Sequence, residues 1–440
     1  MASMLKAPVL IQTTLFPDIE ADVSYKKPTD RTSTFADNMK LPIHRWFRYS
    51  AGFSAEWVKE VVREFKNGNK INLFDPFAGS GTTVLAGEEC GVQSYGIESH
   101  PFIIRVAKAK LLWYENPNKF LDFAMHVFNY AKTLKEPIDH YPALIYKCYS
   151  EESLSELDKI KKSWVYHNDN STYSELTWLA LIGILRLTSM AGTAPWQYVL
   201  PRKVKKVNIS PYEAFMTQID MIFKDMNYFR RHVKQPMGII FQDDARLCST
   251  IKDDSIDLIV TSPPYANNYD YADATRFEMS FLGEINGWGD LQDKVRSHLI
   301  RSCSQHMISK NDDLNEILRD NNLKPIINEI SSVCAELNQE RLLHGGKKNY
   351  HLMIAAYFSD LAKTWIALRR VCRENSNVCF VIGDSAPYGI YVPVDKWLGE
   401  LAVAAGFKSY YFEKTRDRNI KWKNRKHRIP LHEGRLWIKG

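Results

Sequence analysis

The chain has no run of about 18 consecutive apolar residues, so a membrane-spanning helix is not expected. Its opening, MASMLKAPVLIQTTLF, holds one lysine and lacks an apolar core with a cleavage site, so no secretory signal is expected either. The seven cysteines, at 90, 148, 248, 303, 334, 372 and 379, are scattered, odd in number and never spaced C-x-x-C. That pattern argues against a disulfide framework and against a zinc site, and no metal is expected; it fits a cytoplasmic protein. Internal repeats and low-complexity tracts are missing, which excludes solenoids and arrays. Charge of one sign is only mildly in excess. A net +7 suits a polyanion partner, but many enzymes of small molecules are as basic.

What is present is the patterning of a soluble globular α/β protein, 45% apolar and 25% charged. Residues 1–40 are polar and proline-containing and read as an irregular arm. AEWVKEVVREF has helical spacing, and Asn67-Gly68-Asn69 ends it. Residues 71–74 predict a strand, DPFAGSGTTVLAGEECG a glycine-rich turn and helix, residues 93–97 a second strand ending at Glu98, and IIRVAKAKLLWY a second helix. This β-α-β-α order opens a doubly wound sheet. Residues 115–235 then read as mostly helical, with breaks at HNDNST and AGTAPWQ. Strands return at 238–241 and 256–260, and residues 281–350 are again polar and helical. A helix (YFSDLAKTWIALRRV), a strand (VCFVIGDS), a helix (VDKWLGELAVAAGF) and two closing strands complete the pattern. The expected fold is a Rossmann-like α/β core, its sheet mostly parallel with helices on both faces, carrying two mainly helical insertions.

Two turns at strand ends hold the chemistry. In Asp75-Pro76-Phe77-Ala78-Gly79-Ser80-Gly81-Thr82, Gly79 and Gly81 let the backbone turn tightly and approach a ligand closely. The helix after it offers free N–H groups. No lysine stands where a G-x-x-x-x-G-K-[ST] phosphate cradle needs one, and the third glycine of G-x-G-x-x-G is missing. Glu98, at the next strand end, suits a ribose-diol acceptor; the alternative is a solvated carboxylate. The second turn is Ser262-Pro263-Pro264-Tyr265, straight after an apolar strand. Its prolines end that strand and leave carbonyls free of strand pairing. A serine and a proline carbonyl can accept the two hydrogens of an aromatic amine, localising the nitrogen lone pair. Tyr265 can stack on a base taken out of its duplex. The plain alternative is a proline turn that only caps a strand.

DPFAGSGTT followed by TSPPY resembles the amino-methylating DNA methyltransferases, which use S-adenosylmethionine. Leu41-Pro42-Ile43-His44-Arg45-Trp46, then Phe53-Ser54, resembles the segment that closes over the methionine part of that cofactor. Gln242-Asp243-Asp244-Ala245 resembles the turn near its adenine, with Asp243 where the family has glycine. The resemblance covers about half the chain and none of the insertions. It implies His44, Trp46, Asp75, Pro76, Phe77, Ala78, Gly79, Gly81, Thr82, Glu98 and Asp244 at the cofactor, and Ser262, Pro263, Pro264 and Tyr265 in catalysis. It also implies residues 41–114 as the cofactor-binding half, 236–280 as the catalytic half and 351–440 as the rest of the core, with a basic hairpin. SPPY is seen more often in N4-cytosine enzymes and NPPY in N6-adenine enzymes, so cytosine N4 is the expected target. A cysteine nucleophile of the C5-cytosine type is not expected, because no Pro-Cys dipeptide occurs. The family setting implies double-stranded DNA as partner and restriction–modification, with a cognate endonuclease, as context. An RNA amino-methyltransferase and a non-enzymatic specificity subunit are the rival readings.

DNA contacts are expected at two basic runs. One is KTRDRNIKWKNRKHR, residues 414–428, with eight Lys or Arg against one Asp; it offers Arg416, Arg418, Lys421, Lys423, Arg425 and Lys426 around Trp422. The other offers Arg202, Lys203, Lys205 and Lys206 in the first insertion. Either run can instead be a solvated loop. Asn267, Asn268, Tyr269, Asp270 and Tyr271, after the catalytic turn, either line a base pocket or start the next helix. Arg276 and His351 are read as structural.

Overall fold

The computed structural model describes residues 35–49, 52–194, 198–207, 209–235, 237–267, 269–307, 313–418 and 429–440. Nine strands appear among them: β1 (Asn72–Asp75), β2 (Gln93–Glu98), β3 (Ala191–Thr193), β4 (Val199–Val204), β5 (Gly238–Gln242), β6 (Ile256–Thr261), β7 (Cys372–Gly383), β8 (Ser409–Arg418) and β9 (Leu431–Lys439). Seven of them form one sheet in the order β5-β2-β1-β6-β7-β9-β8. All neighbours are parallel except the two pairs that β9 makes, with β7 and with β8. The expected α/β class and mostly parallel sheet are borne out. After β1 the chain builds outward through β2 to β5, then returns to place β6 on the other side of β1. That reversal opens a crevice at the carboxyl ends of β1 and β6, where ligands of such sheets bind.

Local chemistry explains the flanking helices. Ser54 caps the Ala55–Lys66 helix, and left-handed Asn67 ends it. His100 caps the Pro101–Lys110 helix, with its ring nitrogen accepting from the Phe102 and Ile103 N–H groups and proline in the first turn. On one face of the sheet, that helix packs with the helices Pro117–Thr133, Thr172–Thr188 and Pro211–His232 in one apolar core. On the other face, the Tyr350–Val371 and Val394–Ala404 helices bury Trp365 and Trp397. The residues from Thr32 to Gly440 pack as one compact unit. No helix among the described residues is long and apolar enough to cross a membrane.

The first insertion differs from the expected helices in one place. Residues 191–204 form an antiparallel ribbon, β3 against β4, so the Arg202–Lys203 run lies on a strand. Pro201 and the charges hid this strand in the sequence; a two-stranded ribbon tolerates both, because each strand is an edge.

Asp225, fully buried on the Pro211–His232 helix, fastens the 43–46 segment from a great distance in sequence. It accepts from the Ile43 N–H at 3.1 Å, Arg45 Nε at 3.0 Å, Arg45 Nη2 at 2.5 Å and Trp46 Nε1 at 2.9 Å. Removing the carboxylate leaves two buried donors unpaired and takes the ion-pair partner from a half-buried guanidinium. Asp225→Ala is therefore expected to lower unfolding free energy by about 3 kcal/mol in urea denaturation, whereas Asp220→Ala, whose carboxylate pairs with the exposed Lys224 on the same helix, is expected to change it by less than about 1 kcal/mol.

Candidate functional site

The glycine turn is built from both ends. Gly79 and Gly81 take φ values of 52° and 90°, a region that disfavours any side chain. A Cβ on Gly79 would also meet the Tyr49 ring at 3.1 Å. Asp75, buried at the end of β1, accepts from the Phe77 N–H at 3.0 Å and from Thr261 Oγ1, at the end of β6, at 2.5 Å. Burial raises its carboxyl to about 6, against the pull of those donors. Glu98, at the end of β2, accepts from the Gly79 N–H and the His100 N–H, both at 2.8 Å. Burial pushes its carboxyl up to about 7. The turn is thus tied to the ends of both neighbouring strands.

The proline turn leaves β6 at Thr261 and is held from two sides. Ser262 Oγ donates to the Val381 carbonyl on β7 at 3.1 Å. The Tyr357 hydroxyl donates to the Pro264 carbonyl at 2.9 Å. Ser262 spends its proton on β7, so its lone pairs remain to accept. No described residue donates to the Pro263 carbonyl. Tyr265 is half-buried, and the Arg418 guanidinium lies 5.3 Å from its ring centre. Burial raises the Tyr265 phenol well above its ordinary range.

Both turns open into one cavity. Of the residues expected at the cofactor, Phe77, Ala78, Gly79, Thr82, Glu98 and Asp244 line it. Of the catalytic turn, Ser262 and Pro264 line it, while Pro263 is buried beneath and Tyr265 lies off the wall. Asp75 and Gly81 shape the turn from behind: one is a buried acceptor, the other the residue before the Thr82–Glu89 helix. Pro76 likewise stays off the wall.

Two expected cofactor neighbours lie away from the cavity wall. His44 and Trp46 do not reach the cavity. The Trp46 indole is committed to Asp225, and His44 is buried with Nε2 3.9 Å from Glu89 Oε1. The same segment sends Tyr49, Gly52 and Phe53 to the wall instead. Sequence reasoning also passed over His100 and the stretch His298, Leu299, Ile300. His100 carried a usable signal, as a cap before proline. Its Nε2 meets Thr275 Oγ1 at 2.9 Å, and burial lowers its pKa to about 3, so the ring is neutral. The 298–300 stretch carried none. Asp244 is gripped by Arg246, with Nη2 at 2.6 Å. Asp243, where the family has glycine, braces its own loop through Ser249 and Thr250.

The residues expected at DNA divide. Arg202, Lys203 and Lys206 are exposed. Lys205 is not available in the same way, because its Nζ donates to the Arg186 carbonyl at 2.6 Å near a helix end. Arg416 pairs with Glu433 at 2.7 Å, and Arg418 donates to the Asp384 carbonyl at 2.8 Å. Lys421, Trp422, Lys423, Arg425 and Lys426 lie outside the described residues, as does Asn268. Downstream of the proline turn, Asn267 donates its N–H to the Ser302 carbonyl, Tyr269 stacks on Tyr198, and Asp270 caps the Tyr271–Leu282 helix. Tyr271 alone of these lines the cavity. Arg276 pairs with Asp273, and His351 is buried.

The chemistry of the donor set suits S-adenosylmethionine. A glycine cradle beside a carboxylate at the next strand end accepts a nucleoside diol, and Phe77, Tyr49 and Phe53 offer aromatic faces. Residues 16–109 match a family model, N6_N4_Mtase, described as DNA methylase. Over 419 residues the chain is 25% identical to the Type II methyltransferase M.BsoBI of Geobacillus stearothermophilus, covering 85% of this chain and 80% of the relative. It is 26% identical to the Type II methyltransferase M.AvaI of Anabaena variabilis, over 85% of this chain and 81% of the relative. The figure for the Type II methyltransferase M.MvaI of Kocuria varians is 24%, over 85% and 82%. Two strand-end turns facing one cavity across a topological switch thus accompany a similarity to Type II DNA methyltransferases that runs over most of the chain.

Proposed function

We propose that the chain is the site-specific DNA methyltransferase of a Type II restriction–modification pair, and that its target is the N4 amine of cytosine in double-stranded DNA. One observation carries the reading: Gly79 and Glu98 bound the same cavity as Ser262 and Pro264. A methyl donor held by the first pair therefore faces an amine held by the second. The Type II relatives supply the setting, in which a cognate endonuclease cuts the unmethylated site. The serine that opens the proline turn favours cytosine over adenine. A cytoplasmic location follows from that setting.

Bound S-adenosylmethionine supplies an electrophilic methyl on its sulfonium. Glu98 accepts the ribose hydroxyls with the lone pairs that Gly79 and His100 leave free. Asp244, braced by Arg246, flanks the adenine side. Ser262 Oγ and the Pro263 carbonyl accept the two amine hydrogens, which turns the nitrogen lone pair out of conjugation. Tyr265 stacks on the extruded base. The methylated ammonium is strongly acidic, so its proton leaves to water and no strong base is required. Arg202, Lys203 and Lys206 follow the phosphate backbone.

Nucleoside mass spectrometry of DNA from a methylation-free host is expected to show N4-methylcytosine with the wild-type chain and none with Ser262→Ala. N6-methyladenine in place of it keeps the mechanism and overturns the base; no methylated base from a folded, cofactor-binding protein overturns the reading.

Glu98 also sets a pH dependence. Burial raises its carboxyl, so the ionised acceptor grows as pH rises through about 7. Cofactor affinity by calorimetry is expected to strengthen by about tenfold from pH 6 to pH 8, following that ionised fraction. In Glu98→Gln it is expected to be weak and flat over the same range. A wild-type affinity that does not change with pH contradicts the diol role.

A further inference from the structure

Behind the cavity wall, Asp270, Cys303 and His306 bring a carboxylate oxygen, a thiol sulfur and an imidazole nitrogen within 4.8 Å of one another. All three residues are buried, at 4%, 4% and 8% exposure. They come from two segments: Asp270 opens the helix after the proline turn, while Cys303 and His306 stand in C-x-x-H spacing within the second insertion. The segments already touch, since Asn267 donates its N–H to the Ser302 carbonyl.

His306 makes the cluster more than packing. Neither of its ring nitrogens has a hydrogen-bond partner, although the ring is buried. Leaving such a group unpaired costs roughly 1–3 kcal/mol, and native structures rarely accept this without a reason. The adjacent Ser302 hydroxyl is buried without a partner as well. Thiolate, imidazole and carboxylate together are a zinc donor set, and three protein ligands with a water in the fourth position is a common arrangement. Asp270 also accepts from Arg296 Nη2 at 2.7 Å. Ligating carboxylates are usually held by such an outer donor. The guanidinium keeps a second contact 4.7 Å above the Trp288 ring.

We propose that Asp270, Cys303 and His306 form a zinc site, with water in the fourth position, that pins the 300–307 segment to the loop after the proline turn. Leu299 and Ile300, where that segment begins, line the cavity, so the ion would hold one wall of the site without touching the reacting atoms. Binding releases the Cys303 thiol proton to solvent. The site does not depend on the methyl-transfer reading, because its readout is the metal.

Untagged full-length protein, stripped with a chelator that is then removed, is titrated with zinc and with cobalt(II). About one zinc per chain is expected, with a near-ultraviolet thiolate-to-cobalt absorption. Both are expected to be lost in Cys303→Ser and in His306→Ala. Because either variant can fail to fold, alkylation of the wild type under mild denaturant, mapped by peptide mass spectrometry, is the second measurement. Zinc is expected to slow labelling of Cys303 by at least about tenfold and to leave the other six cysteines unchanged. Folded wild-type protein that takes up no zinc, or zinc that protects another cysteine and not Cys303, overturns the site.

Discussion

The hydrogen bond from the Thr261 hydroxyl to the Asp75 carboxylate joins the glycine turn to the proline turn. β1 and β6 lie side by side, Leu73 opposite Leu258 and Phe74 opposite Ile259. Their carboxyl ends therefore emerge together, one into the glycine turn and one into the proline turn. The carboxylate is buried and costly to ionise, so its donors matter: Thr261 on one strand, and the Phe77 N–H on the glycine turn. Thr83 repeats the link one turn into the next helix, its hydroxyl donating to the Val260 carbonyl at 3.1 Å. These contacts set the spacing between the two turns that face the cavity.

Around that joint, each insertion supplies a wall to the cavity. The first insertion holds the 43–46 segment through Asp225, and the chain beyond it delivers Tyr49 and Phe53 to the cavity. Lys110, buried and lowered by desolvation to about 7, adds a second hold by donating to the His44 and Phe47 carbonyls. The second insertion delivers His298, Leu299 and Ile300. Helices that looked like additions to a sheet thus complete its ligand site.

Most of the fold was legible because hydrophobic periodicity is local. The strands at 72–75, 93–98 and 256–261 fall within a residue or so of their expected positions, and the helices between them are marked by caps and glycine breaks. The β3–β4 ribbon was hidden because Pro201, Arg202 and Lys203 contradict strand propensity, and an edge ribbon tolerates what a central strand does not. That His44 and Trp46 turn away from the cavity was hidden for a different reason. Their segment is oriented by an aspartate some 180 residues away, and no local pattern reports such a partner.

The sequence by itself determined the α/β class, the two strand-end turns and the carboxylate at the end of β2, because each is written in a short stretch of residue types with its own backbone chemistry. Only the tertiary structure decided which side chains reach the cavity. Exposure, the unpaired nitrogens of His306 and the raised carboxyl of Glu98 depend on what packs against them from elsewhere in the chain. Desolvation and long-range hydrogen bonds belong to a neighbourhood in space, and a neighbourhood in space exists only once the sheet has closed.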